Sequence, residues 1–340
     1  MTRTGTARTA WGRLLAQPEP LLAMAPMQDV THAAFWRILI RFGGPDLFFT
    51  EFFRVHAASR LDRDILRSIT NNPTGRPVVA QLVGTDAAAL ARTARELSQH
   101  PVAAIDLNAG CPVPVVSRKG AGGGLLRDLG RLEAILGALR DAIAMPLTVK
   151  IRLGWSAPEE CERWLPLVSR HGVDLVTVHG RTVQQMYGGA VHYDWIARAV
   201  AGLSCPVLAN GDIGSFAQAD RVLAMTGARG VMVGRGAIRN PWIFRQIREH
   251  RSGGAVGRPT GRMVLGYLRE LYAALASPGC PERAQVERFK KYANFIGTGI
   301  EPTGRCLHRI QRAASQEGLF GAAEEYLDHD RPLEPLAGPG

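Results

Sequence analysis

Up to about residue 250, short apolar runs alternate with longer stretches that have helical periodicity. The runs are rich in Val, Leu and Ile and are mostly too short for helices, which is typical of strands buried on both faces. The pattern predicts eight strands, at residues 21–24, 47–50, 78–82, 103–107, 147–151, 175–178, 207–209 and 230–233. Amphipathic helices are predicted between them, among others at residues 87–99, 132–144 and 216–225.

Eight strands separated by helices indicate an α/β protein, a (β/α)₈ TIM barrel. A doubly wound open sheet is the alternative. Such a sheet would carry a glycine-rich phosphate turn after its first strand. Here that turn reads Ala25-Pro26-Met27-Gln28-Asp29 and holds no glycine, which favours the barrel.

The chain is predicted to have two domains. The barrel spans residues 19–250, and residues 251–262 form a linker because they are rich in glycine and proline. Helical patterns at 263–276, 283–295 and 303–317 predict a small all-helical domain over residues 263–327. Residues 1–18 and 328–340 are expected to be flexible tails.

Composition narrows the class of protein. Of 340 residues, 46% are hydrophobic and 21% are charged, which is ordinary for a globular protein. Neither a bilayer-spanning run of about 20 apolar residues nor a signal-peptide core is visible, so we expect a cytoplasmic protein without a membrane partner. The five cysteines are scattered without a C-x-x-C pair, which argues against a disulfide framework and against a metal site.

The net charge of +11 favours a polyanionic partner such as RNA, although a genome that prefers arginine would give the same balance. In the predicted helical domain, the segment Arg288-Phe289-Lys290-Lys291-Tyr292 interleaves cations with aromatic rings, which suits contacts with phosphates and bases. An ordinary solvated helix face is the alternative interpretation.

The most informative stretch follows the fourth predicted strand and reads Asp106-Leu107-Asn108-Ala109-Gly110-Cys111-Pro112. Barrel enzymes place chemistry at such a strand end, and a cysteine there can act as an acid, a nucleophile or a ligand. Free cysteine is also often a small buried hydrophobe. The rest of the chain has to decide between these interpretations.

Other strand ends carry polar residues as well. Gln81, Lys150 and His179 follow apolar strands, and glycine in Gly234-Arg235-Gly236 lets a backbone approach a phosphate. Each has a plainer interpretation: a surface lysine, a core histidine, a tight connection. In barrels, the loops after strands seven and eight often hold a phosphate, so the set suggests bound flavin mononucleotide (FMN).

Taken together, these residues resemble the tRNA-dihydrouridine synthases, flavin enzymes with a (β/α)₈ barrel and a C-terminal helical domain. The resemblance runs from Leu21 to about Leu319. It is carried by the fragments Ala25-Pro26-Met27, Thr50-Glu51-Phe52, Asp106 to Pro112, Gly120-Ala121-Gly122-Gly123-Gly124-Leu125-Leu126, Val149-Lys150-Ile151-Arg152-Leu153-Gly154, His179-Gly180-Arg181-Thr182, Ala209-Asn210-Gly211-Asp212-Ile213 and Gly234-Arg235-Gly236-Ala237.

The resemblance implies site residues. Those expected around FMN are Ala25, Pro26, Met27, Gln81, Lys150, His179, Asn210, Gly211, Asp212, Gly234 and Arg235. Those expected to contact the substrate RNA are Arg54, Asn108, Arg152, Arg181, Tyr187, Arg288, Lys290 and Lys291, with Asn108 near the target uracil. Within the family, Trp155 and the segment His192-Tyr193-Asp194-Trp195 look most like the C-type bacterial branch, whereas Asn294-Phe295-Ile296-Gly297 does not, so the choice of uridine stays open.

The implied reaction is reduction of a uridine in tRNA to 5,6-dihydrouridine by a monomer. NADPH reduces FMN, hydride passes to carbon 6 of the base, and Cys111 gives a proton to carbon 5. This role requires Cys111 to stay protonated at neutral pH. Two rivals remain: a flavin barrel acting on a free pyrimidine, and a non-catalytic RNA-binding protein.

Overall fold

A computed structural model describes residues 3–333 of the chain. Within them, nine parallel strands form one sheet whose pairing between the second and fourth strands closes it into a ring. The strands are β1 (Leu21–Met24), β2 (Leu47–Phe49), β3 (Phe53–Val55), β4 (Val78–Gly84), β5 (Ala104–Ala109), β6 (Leu147–Arg152), β7 (Leu175–His179), β8 (Val207–Asn210) and β9 (Gly230–Val233). Eight of them form the predicted (β/α)₈ barrel, and β3 is an additional strand paired with β4.

Helices connect the strands and follow the barrel. Their bounds are α1 (Arg3–Ala16), α2 (Ala33–Arg41), α3 (Arg63–Thr70), α4 (Ala87–Leu97), α5 (Pro114–Ser117), α6 (Leu129–Ala142), α7 (Cys161–Arg170), α8 (Tyr193–Gly202), α9 (Phe216–Thr226), α10 (Arg235–Arg239), α11 (Ile243–Arg251), α12 (Gly261–Ala274), α13 (Glu282–Ile296), α14 (Arg305–Arg312) and α15 (Gln316–Leu327). Short 3₁₀ helices lie at Gly122–Arg127, Pro158–Glu160 and Gly297–Gly299. No helix in this part of the chain is long and apolar enough to cross a bilayer.

Contacts group the described residues into two compact units. Unit 1 contains the residues up to 28, 46–211 and 220–233, and therefore the whole sheet. Unit 2 contains residues 29–45, 212–219 and those from 234 onward. This division differs from the predicted boundary near residue 250, because unit 2 also takes in α2, α10 and α11. Within it, the ring of Phe42 lies 4.8 Å from that of Trp242 and 5.8 Å from that of Tyr267.

An apolar plug fills the amino-terminal end of the barrel in unit 1. Trp11 of α1 is only 5% exposed and packs with interior strand residues such as Leu21, Phe49 and Met232. Arg229 fastens the end of α1, since its guanidinium donates to the carbonyl oxygens of three residues, Leu15, Gln17 and Glu19. The structure therefore has a packed helix where the sequence suggested a flexible tail; residues 1–2 lie outside the described residues.

Three of the four helices α12–α15 of unit 2, namely α12, α13 and α15, form an aromatic cluster. The ring of Tyr272 lies 5.7 Å from that of Phe289 and 5.5 Å from that of Phe320. The third predicted helix, 303–317, is instead two helices, because the chain breaks after α14 and Ser315 caps α15 by accepting from the amide of Gly318. Residues 328–333 are held by Arg262, which pairs with Asp328 and Asp330; the rest of the predicted tail, 334–340, lies outside the described residues.

Candidate active site

Alternation along the barrel strands separates an apolar layer from a polar one. Side chains two residues apart share a face of a strand, so the strands that begin in the apolar plug also place polar side chains inside the barrel toward their carboxyl ends. Neighbouring strands align these side chains, pairing Gln81 with Asp106, Asp106 with Thr148, and Asn108 with Lys150. The carboxyl-terminal end of the strands is the end at which barrel enzymes carry their chemistry.

A chain of amide groups runs from the buried carboxyl of Asp106 to the Cys111 turn. Gln81 Nε2 donates to Asp106 Oδ2 at 2.7 Å, and Asn108 Nδ2 donates to Gln81 Oε1 at 2.9 Å. Asn108 Oδ1 then accepts from the backbone N–H groups of Gly110, at 3.1 Å, and Cys111, at 2.9 Å. The amide of Asn108 thereby closes the turn that carries the thiol.

The Cys111 turn is packed from the other side by the glycine-rich segment that contains the first 3₁₀ helix. Gly123 N donates to the carbonyl oxygen of Cys111 at 2.9 Å. Gly122 has a φ of +55°, and a Cβ atom there would lie 3.0 Å from the Cβ of Cys111. Both the backbone conformation and the space at residue 122 therefore favour glycine.

Cys111 is partly buried, in contact with the apolar cluster of Phe52, Val83 and Val116. Burial raises the pKa of its thiol above the usual value, and this outweighs the hydrogen bond from the Val113 backbone and the nearby cations, which lower it. The thiol is therefore protonated at neutral pH, as the predicted role requires.

Two ionisable groups of the polar layer have strongly shifted pKa values. Burial raises the pKa of Asp106 to about 6, against opposing effects of the hydrogen bonds from Thr148 and Gln81 and the charge of Lys150. Burial, with the charge of Arg152, lowers the pKa of Lys150 to about 8. Perturbed groups concentrated at a strand-end site are typical of functional sites.

Lys150 is placed by an amide. Its Nζ donates to Asn210 Oδ1 at 3.1 Å, and Asn210 Nδ2 donates to the carbonyl oxygen of Met232 at 2.8 Å. Asn210 is paired in register with His179 at the end of β7. Gly211, which follows directly, has a φ of +130°. Four of the predicted cofactor residues thus lie together at the ends of neighbouring strands.

The remaining predicted cofactor residues of unit 1 follow β1. Ala25 is buried and its N–H donates to the carbonyl oxygen of Val233 at 2.8 Å, while Pro26 and Met27 are partly exposed. Gln81 lies within β4 rather than at its end, because β4 continues two residues past its predicted end at 82 to pair with β3.

Two of the arginines predicted to contact RNA are buried and hold backbone instead. Arg152 is 2% exposed and donates to the carbonyl oxygens of Gly110 and Thr182. Arg181 is fully buried and donates to the carbonyls of two residues, Gly188 and Gly189. Their guanidinium groups brace loops, so a direct contact with RNA does not fit these positions.

Two other predicted RNA contacts are open to solvent. Arg54 of β3 is exposed, and its guanidinium lies 4.9 Å from the ring centre of Phe52. Tyr187 is 49% exposed, and the guanidinium of Arg152 lies 5.7 Å from its ring. An exposed ring supported by a cation suits stacking against a base.

In unit 2, the predicted phosphate-binding residues form a close turn. Arg235 donates to Asp212 Oδ1 at 3.1 Å, and Asp212 itself has a φ of +43°. A Cβ atom at Gly236 would lie 2.1 Å from the carbonyl oxygen of Ile213, so only glycine lets these two backbone segments approach.

The basic segment of α13 lines a groove of about 520 Å³ in unit 2. Lys291 is exposed there. Arg288 donates to Leu275 O and Ser277 Oγ. Lys290 also lines the groove, but it is only 8% exposed and its Nζ donates to Glu287 Oε1 at 2.7 Å.

No group of three or more His, Cys, Asp or Glu side chains within the described residues is arranged to hold a metal ion, and all five cysteines are free.

Comparison with known proteins identifies the family. The family model described as Dihydrouridine synthase (Dus) matches residues 23–294. The chain belongs to the dihydrouridine synthase family. Proteins named tRNA-dihydrouridine synthase B, from Xanthomonas axonopodis pv. citri (strain 306), and tRNA-dihydrouridine(16) synthase, from Cupriavidus necator, are 35% and 32% identical to it. These matches cover 91% and 89% of this chain, and 93% and 98% of those proteins.

A solved structure supports the fold of this dihydrouridine synthase. Histamine dehydrogenase from Rhizobium sp. 4-9 superposes with a TM-score of 0.55 at 12% identity, over 92% of this chain and 63% of that one. The likeness concerns the fold alone. The named relatives include both B-type and (16)-type enzymes, so the resemblance to the C-type branch stays a prediction.

Two polar side chains of the barrel interior, Asp106 and Thr148, are not among the site residues predicted from the sequence. Asp106 lies in the strand that leads to the Cys111 turn, and Thr148 donates to Asp106 Oδ1 at 2.6 Å. Both are fully buried. A signal was present, because a carboxylate in the middle of an apolar strand needs a reason to be there.

Proposed function

We propose that this protein reduces a uridine of tRNA to 5,6-dihydrouridine, with FMN as its bound cofactor and NADPH as the reductant. Membership of the dihydrouridine synthase family and the names of the relatives support the reaction and the RNA class. The observation that carries the proposal is the neutral thiol of Cys111, held by Asn108 in the turn after β5.

The residues of unit 1 suit the ring of a flavin. Lys150 is a cation whose hydrogen-bond partner is a neutral amide, so its charge can stabilise negative charge on a reduced ring. Beside it in register, Thr177 has a buried hydroxyl that makes no hydrogen bond within the described residues. Ala25, Pro26, Met27, Gln81, His179, Asn210 and Gly211 complete the proposed set.

The residues of unit 2 suit a phosphate. The turn formed by Asp212, Gly234 and Arg235 combines a guanidinium with a close backbone approach at Gly236, which suits binding of a phosphate group. When bound and reduced, FMN supplies the hydride that uridine needs.

Within this scheme the protein moves one proton and orients one base. Cys111 Sγ–H gives its proton to carbon 5 of the uracil, and the thiolate left behind is reprotonated from solvent. Asn108 keeps the thiol in place through the backbone of the turn. Arg54 and Tyr187 in unit 1, and Arg288 and Lys291 in unit 2, are the proposed RNA contacts, and Asn108 in unit 1 is proposed to lie near the target uracil.

Extrusion of the uridine from its stack costs a few kcal/mol, which phosphate contacts by basic side chains offset. A free pyrimidine would need no such surface. The basic groove along α13 therefore favours RNA over a free base as the substrate.

Replacement of the thiol tests the proposal. Cys111→Ala should bind FMN and tRNA normally, whereas oxidation of its chemically reduced flavin by a tRNA transcript should slow by about 100-fold or more, the usual contribution of general acid catalysis. Cys205→Ala removes another partly buried thiol of unit 1 and should react like the natural enzyme.

Stopped-flow absorbance of the flavin in a single turnover measures this step directly. An unchanged rate in Cys111→Ala would remove the thiol from the reaction. A colourless preparation that takes up no FMN would defeat the flavin assignment altogether.

A further inference from the structure

Asp106 is a fully buried carboxyl in a strand that is otherwise apolar up to Leu107. Both of its oxygens accept hydrogen bonds, Oδ2 from Gln81 and Oδ1 from Thr148. Among the described residues, Lys150 is the charged group that acts on its pKa. Burial of a carboxylate costs stability, even when hydrogen bonds offset part of that cost. A carboxylate kept at this position therefore indicates that a specific arrangement requires it.

We propose that Asp106 is a positioning residue for Cys111, the terminal acceptor of a one-way chain of amides that fixes the turn carrying the thiol. The inference rests on the proposed role of Cys111 as proton donor. It adds a residue that touches neither the base nor the thiol and acts through Gln81 and Asn108.

The groups at both ends of this series of hydrogen bonds determine which way each amide is oriented. Backbone N–H groups only donate, so those of Gly110 and Cys111 require the oxygen of the Asn108 amide. The nitrogen of that amide then donates to the oxygen of Gln81, which leaves the Gln81 nitrogen in need of an acceptor. An ionised carboxylate only accepts, so Asp106 allows no other orientation.

Without this acceptor the two amides can flip. A flipped Asn108 would turn its nitrogen toward the backbone N–H groups of the turn, and the turn would lose both of its side-chain bonds. A displacement of about 1 Å at a reacting group can cost about 100-fold in rate. The chain of amides therefore links a buried acceptor on β5 to the position of the thiol three residues after Asn108.

Two substitutions of Asp106 distinguish the effect of its hydrogen-bond acceptor from the effect of its negative charge. Asp106→Leu and Asp106→Asn both remove the charge and are close to aspartate in shape, but only asparagine can still accept from Gln81. We expect Asp106→Leu to slow flavin oxidation by a tRNA transcript by about 10- to 100-fold. Asp106→Asn should stay within about threefold of the natural enzyme, since its oxygen can take the place of Oδ2.

The second readout needs neither flavin nor RNA. Alkylation by iodoacetamide, followed at each cysteine by mass spectrometry, should be several-fold faster at Cys111 in Asp106→Leu because the turn is looser. Cys205, the other partly buried thiol of unit 1, serves as the internal reference and should react unchanged. Thr148→Val removes the bond to the other carboxyl oxygen and should leave Cys111 alkylation as it is.

Equal behaviour of the leucine and asparagine variants in both assays would overturn the proposal, because the charge and not the acceptor would then matter. Parallel changes at Cys111 and Cys205 would also overturn it, since they indicate general loosening. If Asp106→Leu does not fold, Asp106→Val makes the same comparison. A natural enzyme that fails to oxidise its flavin with tRNA defeats the proposed function, while the alkylation comparison still judges the role of Asp106.

Discussion

At the scale of single residues, burial moves an acid and a base of the barrel interior toward neutrality. The pKa of Asp106 rises to about 6 and that of Lys150 falls to about 8. Both shifts oppose the charged form, so both groups lower the stability of the folded state near neutral pH. A side chain kept at such a cost has a purpose other than stability.

Asp106→Asn should therefore change stability in a pH-dependent way. The folded pKa of about 6 exceeds the unfolded value of 3.8, so the folded state holds the extra proton and its stability falls as pH rises through this window. The variant is free of this pH dependence. Its free energy of unfolding relative to the natural protein should rise by up to about 3 kcal/mol between about pH 4 and about pH 8.

Urea unfolding at several pH values measures this difference. The exposed Asp141→Asn on α6 is the matched control. A flat difference for Asp106→Asn would mean that the carboxyl titrates alike in the folded and unfolded chain.

At the scale of elements, two segments without predicted catalytic residues pack against the two ends of the barrel. The glycine-rich segment with the first 3₁₀ helix packs on the Cys111 turn, and α1 closes the amino-terminal end through Trp11. The glycine-rich segment can be recognised in the sequence by its glycines. The packing of α1 could not be predicted, because the helix has only a weak amphipathic pattern.

Gly122→Ala should impair the Cys111 turn. A methyl group there meets Cys111 and Val116, each at 3.0 Å, and the φ of +55° is unfavourable for alanine. We expect flavin oxidation by tRNA to slow by about tenfold or more, while FMN binding persists. Gly130→Ala on α6, where the nearest atom is 3.7 Å away, should retain full activity. Equal rates for the two variants would contradict the packing argument.

Trp11→Ala should destabilise unit 1 without changing any of the proposed site residues. Removal of a buried tryptophan costs about 3–5 kcal/mol, because apolar burial is reduced and a cavity is left behind. Chemical unfolding of the intact protein measures this decrease. Arg13→Ala, on the exposed face of the same helix, should change stability little. A small effect of Trp11→Ala would mean that the strands close this end unaided.

At the scale of the whole molecule, some positively charged side chains bind groups of the protein itself, and others are available to bind RNA. Arg152 and Arg181 direct their donors to backbone carbonyls, and Lys290 pairs with Glu287. All three count equally in the net charge, although each is largely buried and already pairs with a carbonyl oxygen or a carboxylate of the protein. Of the residues predicted to contact RNA, Arg54, Tyr187, Arg288 and Lys291 remain the proposed contacts, with Asn108 proposed to lie near the target uracil.

Lys291→Glu should weaken tRNA binding and reduce its dependence on salt. Removal of one phosphate-binding cation lowers the slope of log affinity against log salt by about one. Arg221→Glu, an exposed reversal of equal charge in unit 1, should change affinity less. Filter binding over a salt series measures both variants, and FMN content should stay the same in each. Equal weakening by both variants would mean that net charge, rather than the groove along α13, holds the RNA.

The sequence by itself determined the barrel and the Cys111 turn, because strand periodicity, turn glycines and the order of short motifs are local properties of the chain. All eight predicted barrel strands are present, with ends that differ by at most two residues. The strand β3 could not be predicted from periodicity, because it is only three residues long and follows β2 after a short turn.

Only the tertiary structure decided which polar groups meet. Asp106, Gln81 and Asn108 are separated along the chain, and their hydrogen bonds depend on the register between β4 and β5. Whether Lys290 or Lys291 is open to solvent likewise depends on what packs around α13. Burial and pairing are properties of several segments at once, and no single segment encodes them.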